Sequence, residues 1–292
     1  MRISDSGIYR NFATDLQSLN EMLNRISRQV ATGKRLTQLG DSPAGSAELV
    51  SLTDLASQID QYRSSSNTVS YFLKASDSAL NEVNNLLTSV YSKASQAGTD
   101  TVGDDQLVSL AAEIRSLRDQ MLSLANSQAG GRYLFAGSMV TTAPFILEGD
   151  TVTYQGDGEI NSVRIDEGTE VEPDLPGSEA FGAAFAVIES VLTAIDSGDR
   201  SAIGTALNQF ASAMSDVGQA RGKIGAGLSL IENAEARLNV RETSLKERRS
   251  GIEDADMVAA IVQLNQAQTA LQTAISAGGS ILPQRNLFDI LG

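Results

Sequence analysis

Two segments at opposite ends of this 292-residue chain share one hydrophobic pattern. In the first segment, apolar residues recur at alternating steps of four and three: Phe12, Leu16, Leu19, Leu23, Ile26 and Val30. In the last segment, the same spacing connects Met257, Ile261, Leu264, Gln268, Leu271 and Ile275. This is the spacing of a coiled-coil seam. Each end is therefore predicted to be a helix with one apolar stripe.

Neither terminal helix is predicted to be stable alone. Fully burying the six side chains of the first stripe gains on the order of 10–15 kcal/mol. Ordering the backbone costs about 1–2 kcal/mol per residue, which exceeds that gain over the whole segment. We therefore expect each end to become helical only when partner subunits cover its stripe. The twelve residues of the two stripes form our candidate assembly interface, with Gln268 as a residue that sets the register.

Most of the chain between the stripes is predicted to be helical. Gly33 can adopt the left-handed conformation that ends a helix. Ser42 as N-cap and Pro43 as first helical residue predict the start of a second helix. This helix should extend to Gly98, and a short connection should make the following helix antiparallel to it. Helical periodicity resumes at Phe181, breaks at 198–199 and continues to 252.

The middle of the chain departs from the helical pattern. Short β-favouring runs occupy 133–137, 144–147, 152–154 and 162–165. Glycine and aspartate at 149–150 and 156–158 indicate hairpin turns. Between 146 and 179 there are ten acidic residues and one basic residue, a net charge of −9. We expect a solvated acidic β region here.

These patterns predict a mainly α fold, an elongated antiparallel helical bundle or coiled-coil rod with a small β-hairpin-rich region inserted in the middle. The expected parts are terminal coiled-coil assembly segments at 1–45 and 253–292, a helical bundle at 46–132 and 178–252, and a small acidic β region at 133–177. Because the chain runs out and returns, both termini should finish at the same end.

The composition argues against several classes of function. The chain has no Cys and no His, which excludes disulfides, Cys–His zinc sites, thiol nucleophiles and imidazole bases. A net charge of −14 argues against a nucleic-acid partner. We see no apolar stretch near the eighteen or so residues of a membrane span, and no apolar signal segment at the N-terminus. Two explanations remain open for the absence of Cys. It could reflect chance or a composition common in bacterial extracellular proteins, or selection for a chain that must be transported unfolded without cross-linking.

Three local patterns could indicate chemistry, and each has a simpler explanation. The glycine-rich stretch 222–227 lacks the strand and the Gly-Lys-Ser/Thr order of a phosphate loop, so close helix packing is favoured. The stretch 157–159 lacks calcium-loop spacing, and we interpret it as a solvated hairpin turn. Acidic residues at 253–256 could be paired catalytic carboxylates, but they suit the start of the last helix better. We expect no enzyme activity and no cofactor or metal.

A basic cluster near the end of the penultimate helix leaves two alternatives open. Its members are Arg237, Arg241, Lys246, Arg248 and Arg249. They could contact an acidic partner. Because Glu242 and Glu247 lie among them, a salt-bridged solvent face is the favoured interpretation.

Several motifs of the chain occur together in one known family. They are 26–36 (ISRQVATGKRL), 40–45 (GDSPAG), 254–257 (DADM) and 264–272 (LNQAQTALQ). With these motifs, the two ends resemble the flagellin family of bacterial axial proteins. The segments 1–4 (MRIS), 130–137 (GGRYLFAG) and 286–291 (NLFDIL) are most similar to members at the junction between hook and filament. The last of these differs from the usual Leu-Leu-Arg ending of flagellin itself.

The resemblance implies a structural axial component that is exported through the flagellar type III channel and is needed for filament attachment and motility. It implies self-association in a ring at the extracellular hook–filament junction. The implied partners are hook-associated protein 1 on the hook side, flagellin on the filament side and a flagellar export chaperone. A short flagellin is the alternative. A secreted helical effector is less favoured, because strongly basic or Trp-rich amphipathic faces are absent.

Overall fold

The computed structural model describes residues 5–38 and 40–284, and within them the fold is mainly helical. The helices of this part of the chain are α1 (Asp5–Thr32), α2 (Pro43–Ala97), α3 (Asp104–Ala125), α4 (Gly177–Asp196), α5 (Arg200–Glu253) and α6 (Met257–Gln284). A small β insert lies between α3 and α4. The predicted mainly α fold with a β insert is confirmed. The family-like motifs at 1–4 and 286–291 lie outside the described residues.

Local signals place the helix ends where the sequence predicted them. Gly33 follows α1 with a φ of +72°, a left-handed conformation that a side chain would disfavour. The Gly45 N–H donates to Ser42 Oγ at 3.2 Å, so Ser42 caps α2. Helix α2 ends directly before Gly98, and Gly198 separates α4 from α5. These boundaries depend on nearby residues alone, which is why the sequence revealed them.

The chain divides into two compact units, one formed from two stretches of the chain and the other from a single stretch. The terminal unit comprises the described parts of Met1–Gln58 and Arg241–Gly292, and the central unit is Ile59–Val240. Both boundaries fall inside long helices, α2 and α5.

The central unit contains a large apolar core between its helices and the β insert. Its most completely buried large side chains include Phe135, Phe181, Phe210, Leu80, Leu87 and Ile114. Phe145 lies within 5.5 Å of the rings of Phe181, Phe185 and Tyr154, so strand and helix aromatics pack together. The core therefore joins the β insert to α4.

Helix α4 is the most apolar helix of the central unit. Its 20 residues include a window with mean hydropathy 1.5, so its length and composition would also suit a membrane span. Our expectation that no stretch of the chain comes near this limit is wrong for α4. In this fold 56% of that window is buried inside the protein. Packing against α3 and the β insert accounts for the apolar composition.

Two contacts far apart along α2 show that α3 runs antiparallel to it. Near the connection, Lys93 forms an ion pair with Glu113. Beyond the far end of α3, the Arg132 guanidinium lies 4.5 Å from the centre of the Phe72 ring. The predicted antiparallel arrangement is confirmed.

The β insert consists of three antiparallel strand pairs within the described residues. They are β1 (Gln128–Ala129) with β2 (Arg132–Tyr133), β3 (Phe145–Glu148) with β4 (Thr151–Tyr154), and β5 (Val163–Asp166) with β6 (Thr169–Val171). Gly149, with φ +66°, turns the second pair as predicted. The hairpin predicted at 156–158 is wrong, because this stretch lies between two pairs. There Asp157 accepts a 2.7 Å hydrogen bond from the Ser138 N–H.

Five acidic residues between 146 and 179 form ion pairs, although most of the acidic side chains in this stretch are exposed, as expected. The pairs are Arg118–Asp150, Arg237–Asp166, Arg164–Glu170, Arg132–Asp174 and Lys223–Glu179. Asp166 and Asp174 are buried. Four of the five cations lie outside the acidic stretch itself. Two of these pairs, Arg118–Asp150 and Arg237–Asp166, join the insert to helices α3 and α5.

Candidate assembly interface

The terminal helices α1 and α6 pack against each other as an antiparallel pair. At one end of the pair, Phe12 lies against Gly278. At the other end, Lys34 and Asp254 form an antiparallel backbone bridge just beyond the two helices. Each terminal helix thus has the other as a partner within the same chain. Our expectation for the ends considered only partner subunits and did not include this pairing.

The apolar stripe of α1 lies partly covered in this pair. Ile26 is buried, and the other five predicted residues, Phe12, Leu16, Leu19, Leu23 and Val30, are partly buried. The Phe12–Gly278 contact and the Lys34–Asp254 bridge define the register of the pair. In this register, the α1 stripe lies opposite a second stripe on α6.

That second stripe, the inner stripe of α6, consists mainly of small residues. Its members recur at the same four-three spacing: Ala260, Leu264, Ala267, Leu271, Ala274 and Gly278. Ala260, Ala267 and Gly278 are buried, and the remaining three are partly buried. Only Leu264 and Leu271 of the six predicted α6 residues belong to it. Small side chains opposite bulky ones let the two backbones approach closely.

The other four predicted residues of α6 are exposed. Met257, Ile261 and Ile275 have 38%, 46% and 53% of their surface exposed, and Gln268 is also exposed. Val258 and Val262 are exposed as well. We call Met257, Val258, Ile261, Val262, Gln268 and Ile275 the outer stripe of α6.

The exposed side of α6 lacks charge altogether. Residues 257–284 contain no Asp, Glu, Lys or Arg, and the polar residues beside the outer stripe are neutral. Helix α1, by contrast, bears charges of both signs along its length. An exposed helix face that is apolar and uncharged is typical of a surface that another molecule covers.

The carboxylates at 253–256 each have a defined structural partner. Asp256 caps α6, since its Oδ1 accepts the N–H groups of Val258 and Ala259 at 3.0 Å each. The predicted role at the start of the last helix is confirmed for Asp256, whereas Glu253 is the last residue of α5. Glu253 accepts hydrogen bonds from Arg249, at 2.7 Å, and from Lys34. The hydrogen bond from Arg249 contributes most to lowering the pKa of Glu253, and the hydrogen bond from Lys34 contributes next.

The basic cluster forms the salt-bridged face that the sequence favoured. Lys246 pairs with Glu242, Arg248 with Glu48 and Arg249 with Glu253. Arg237 differs, because its Nε donates to the buried carboxylate of Asp166 at 2.8 Å. These partners are 71 residues apart in the chain, so no local pattern indicated this pair.

The glycine-rich stretch 222–227 lies entirely within α5, as its helical interpretation requires. A Cβ at Gly227 would lie 3.1 Å from Leu73 Cδ1, whereas Gly222 and Gly225 face open space. Close helix packing is therefore confirmed at Gly227 alone.

Two family models match the chain. The bacterial flagellin N-terminal helical region matches residues 3–140, and the bacterial flagellin C-terminal helical region matches residues 207–287. Together they span well over half of the chain, including both α1 and α6. The chain belongs to the bacterial flagellin family.

Members of this family with different names resemble the chain over most of its length. Flagellar hook-associated protein 3 of Escherichia coli strain K12 is 27% identical over 305 residues, covering 95% of this chain and 96% of that protein. The flagellin of Listeria innocua is 22% identical over 266 residues, covering 89% and 88%. The crystal structure of the flagellar junction protein FlgL from Legionella pneumophila shares the fold, with 15% identity and a TM-score of 0.60 over 70% of this chain and 99% of that one.

Proposed function

We propose that this flagellin-family protein is a structural component of the bacterial flagellum that forms the junction between hook and filament. Similarity to hook-associated protein 3 along nearly the whole of both chains supports this role. The observation that supports it most directly is the exposed, uncharged outer stripe of α6. None of the described residues covers this stripe, so a partner that covers it would gain the free energy of apolar burial.

In this proposal, copies of the chain associate in a ring through the segments 1–45 and 253–292 after type III export to the cell exterior. Hook-associated protein 1 would contact the ring on the hook side and flagellin on the filament side, and an export chaperone would bind the chain beforehand. The role requires no catalysis, cofactor, nucleic acid or membrane.

The twelve candidate residues divide between two tasks in this proposal. The six residues of α1, with Leu264 and Leu271, hold the two terminal helices of one subunit together. Met257, Ile261, Gln268 and Ile275 face the neighbouring subunit. Since each copy has a net charge of −14, copies repel one another, and an uncharged contact face avoids adding to that repulsion.

The first test places a charge in the outer stripe. Ile261→Asp should leave the folded monomer intact, because this side chain is 46% exposed. Buried between subunits, the same carboxylate would be unpaired and costly, so incorporation at the hook tip should be lost. Flagellin should then escape to the medium. The measurements are far-UV circular dichroism of the monomer, and electron microscopy of filaments in a deletion strain carrying the variant.

A matched control is Val108→Asp in α3, where the side chain is 70% exposed and lies in the central unit. This variant should support normal filaments. Normal filament attachment with Ile261→Asp would contradict the proposed contact face. Leu23→Asp or Leu271→Asp should also block incorporation, but by separating α1 from α6 while the central unit stays folded.

A short flagellin, a building block of the filament, is the second candidate function. The similarity to Listeria flagellin over 89% of the chain supports this alternative. Immunogold labelling distinguishes the two, because a junction protein marks one band at the hook tip and a flagellin marks the entire filament.

A further inference from the structure

Two connections of the terminal unit are joined to each other. Residues 33–42 connect α1 to α2, and residues 254–256 connect α5 to α6. The Arg35 N–H donates to the Glu253 carbonyl oxygen at 2.6 Å, and the Ala255 N–H donates to the Gly33 carbonyl oxygen at 2.9 Å. These bonds flank the bridge between Lys34 and Asp254. The two connections thus form a short antiparallel ribbon, which we call the linker clasp.

The side chain of Glu253 lies at the centre of the linker clasp. It is only 12% exposed, and it pairs with Lys34 from one connection and Arg249 from the last turn of α5. Arg35 Nη2 also donates to the Ile252 carbonyl oxygen at 2.8 Å. One carboxylate therefore holds cations from both sides of the clasp.

Neighbouring contacts leave the clasp little room to rotate. Asp41 Oδ2 accepts the N–H groups of Thr37 and Gln38 at 3.0 and 2.9 Å. A Cβ at Gly45 in the first turn of α2 would lie 3.0 Å from Leu36 Cδ1 and 3.5 Å from Ile252 Cγ2. The start of α2 and the end of α5 therefore pack directly against the clasp.

We infer that the linker clasp sets the direction of the α1–α6 pair relative to the adjoining turns of α2 and α5, with Glu253 as its positioning residue. A single short connection leaves its helix free to rotate about a few backbone angles. Two connections that are bonded to each other restrict both helices at once. Opening the clasp would turn α1 and α6 together, and would redirect the outer stripe without unfolding either helix.

This device concerns the conformation of one chain, so its test does not depend on ring assembly. Because the chain has no Cys, spin labels can be placed at chosen exposed sites without removing native thiols. One labelled pair, Ser244→Cys with Ala270→Cys, measures the distance from α5 to α6 across the clasp. A second pair, Ala13→Cys with Ala270→Cys, measures the distance between α1 and α6.

Double electron–electron resonance should give one narrow distance peak for each pair in the otherwise native chain. Glu253→Gln keeps the size of the side chain but removes the charge that both cations share. In this variant the narrow peak across the clasp should be lost to a broad distribution, while the peak between α1 and α6 remains. The control Glu242→Gln removes a carboxylate from an ion pair within α5 and should change neither peak.

Two results would overturn the inference. An unchanged peak across the clasp in Glu253→Gln would show that the carboxylate does not set the direction of the pair. Broadening of both peaks would show that the helices separate and do not turn together. Helix content is checked by circular dichroism in every variant, so that unfolding is not mistaken for reorientation.

Discussion

The contact between Phe12 and Gly278 shows how single residues decide the packing of the terminal helices. A Cβ at Gly278 would lie 2.8 Å from Phe12 Cε1, which is closer than the Cβ atoms of real proteins come to a neighbouring heavy atom. Glycine ordinarily weakens a helix interior. Here its missing side chain makes space for an aromatic ring, so the local cost is offset by packing.

Gly278→Ala is therefore expected to weaken the α1–α6 pair. The added methyl forces the ring to move, and overpacking of this kind costs about 1–3 kcal/mol. The control Gly251→Ala lies in the same unit, in a helix and with open space around it, and should stabilise by about 0.5–1 kcal/mol. Hydrogen exchange of α1 and α6 amides measures both. Equal protection in the two variants would contradict the close contact.

At the scale of elements, an ion pair with a buried carboxylate joins two segments of the β insert. Arg132 Nη2 donates to both oxygens of Asp174 at 2.7 and 2.8 Å, and its guanidinium also lies over Phe72. The Asp174 side chain is only 4% exposed. Burial raises the pKa of Asp174, and the charge and hydrogen bond of Arg132 oppose that rise.

Arg132→Met should destabilise the central unit in a pH-dependent way. Without the cation, the pKa of the buried Asp174 should rise further. A group whose folded pKa is raised contributes stability at low pH, and this contribution is lost as the pH rises through the folded pKa. The loss of stability in the variant should thus be largest near neutral pH and shrink as the medium becomes acidic. Urea unfolding across this pH range measures it, and a loss that does not change with pH would rule out the unpaired carboxylate as its cause.

Substitutions in the two stripes of α6 should have different effects. Ile261→Asp acts on the outer stripe and spares the monomer, whereas Leu271→Asp acts on the inner stripe and should separate α1 from α6. Agreement of both with filament assays would establish that one helix serves folding with one face and association with the other.

At the scale of the whole molecule, the two units differ greatly in buried apolar surface. All residues of the large core cluster lie between Val69 and Ala234, within the central unit. In the described part of the terminal unit, the buried apolar residues are Ile26, Leu52, Ala260 and Ala267. A unit with little buried apolar surface opens at a lower free energy.

Hydrogen exchange of the monomer should therefore show two levels of protection. Amides of α1 and α6 should exchange through a low-energy opening, and amides of the buried helix α4 should exchange only near global unfolding. The apolar stripes considered alone predicted no protection at the ends. The α1–α6 pair changes that expectation to weak protection. Protection of α6 equal to that of α4 would contradict the difference between the units.

Sequence patterns predicted the helix ends at Gly33, Ser42 and Gly98 because caps and breakers act within a few residues. They assigned the α1 stripe correctly as a continuous apolar face, but they did not separate the two faces of α6. The outer stripe has larger apolar residues than the inner stripe, so a search for bulky side chains at four-three spacing selected mostly exposed positions. Small residues such as Ala267 became informative only once Phe12 and its neighbours were placed opposite them.

The sequence by itself determined that the chain is mainly helical and where its helices begin and end, because these properties follow from local backbone preference and periodic burial. Only the tertiary structure decided which face of α6 is covered, which acidic residues of the β insert are neutralised, and that Glu253 joins two connections 219 residues apart. Those properties depend on which distant side chains meet, and periodicity along one segment contains no information about its partner.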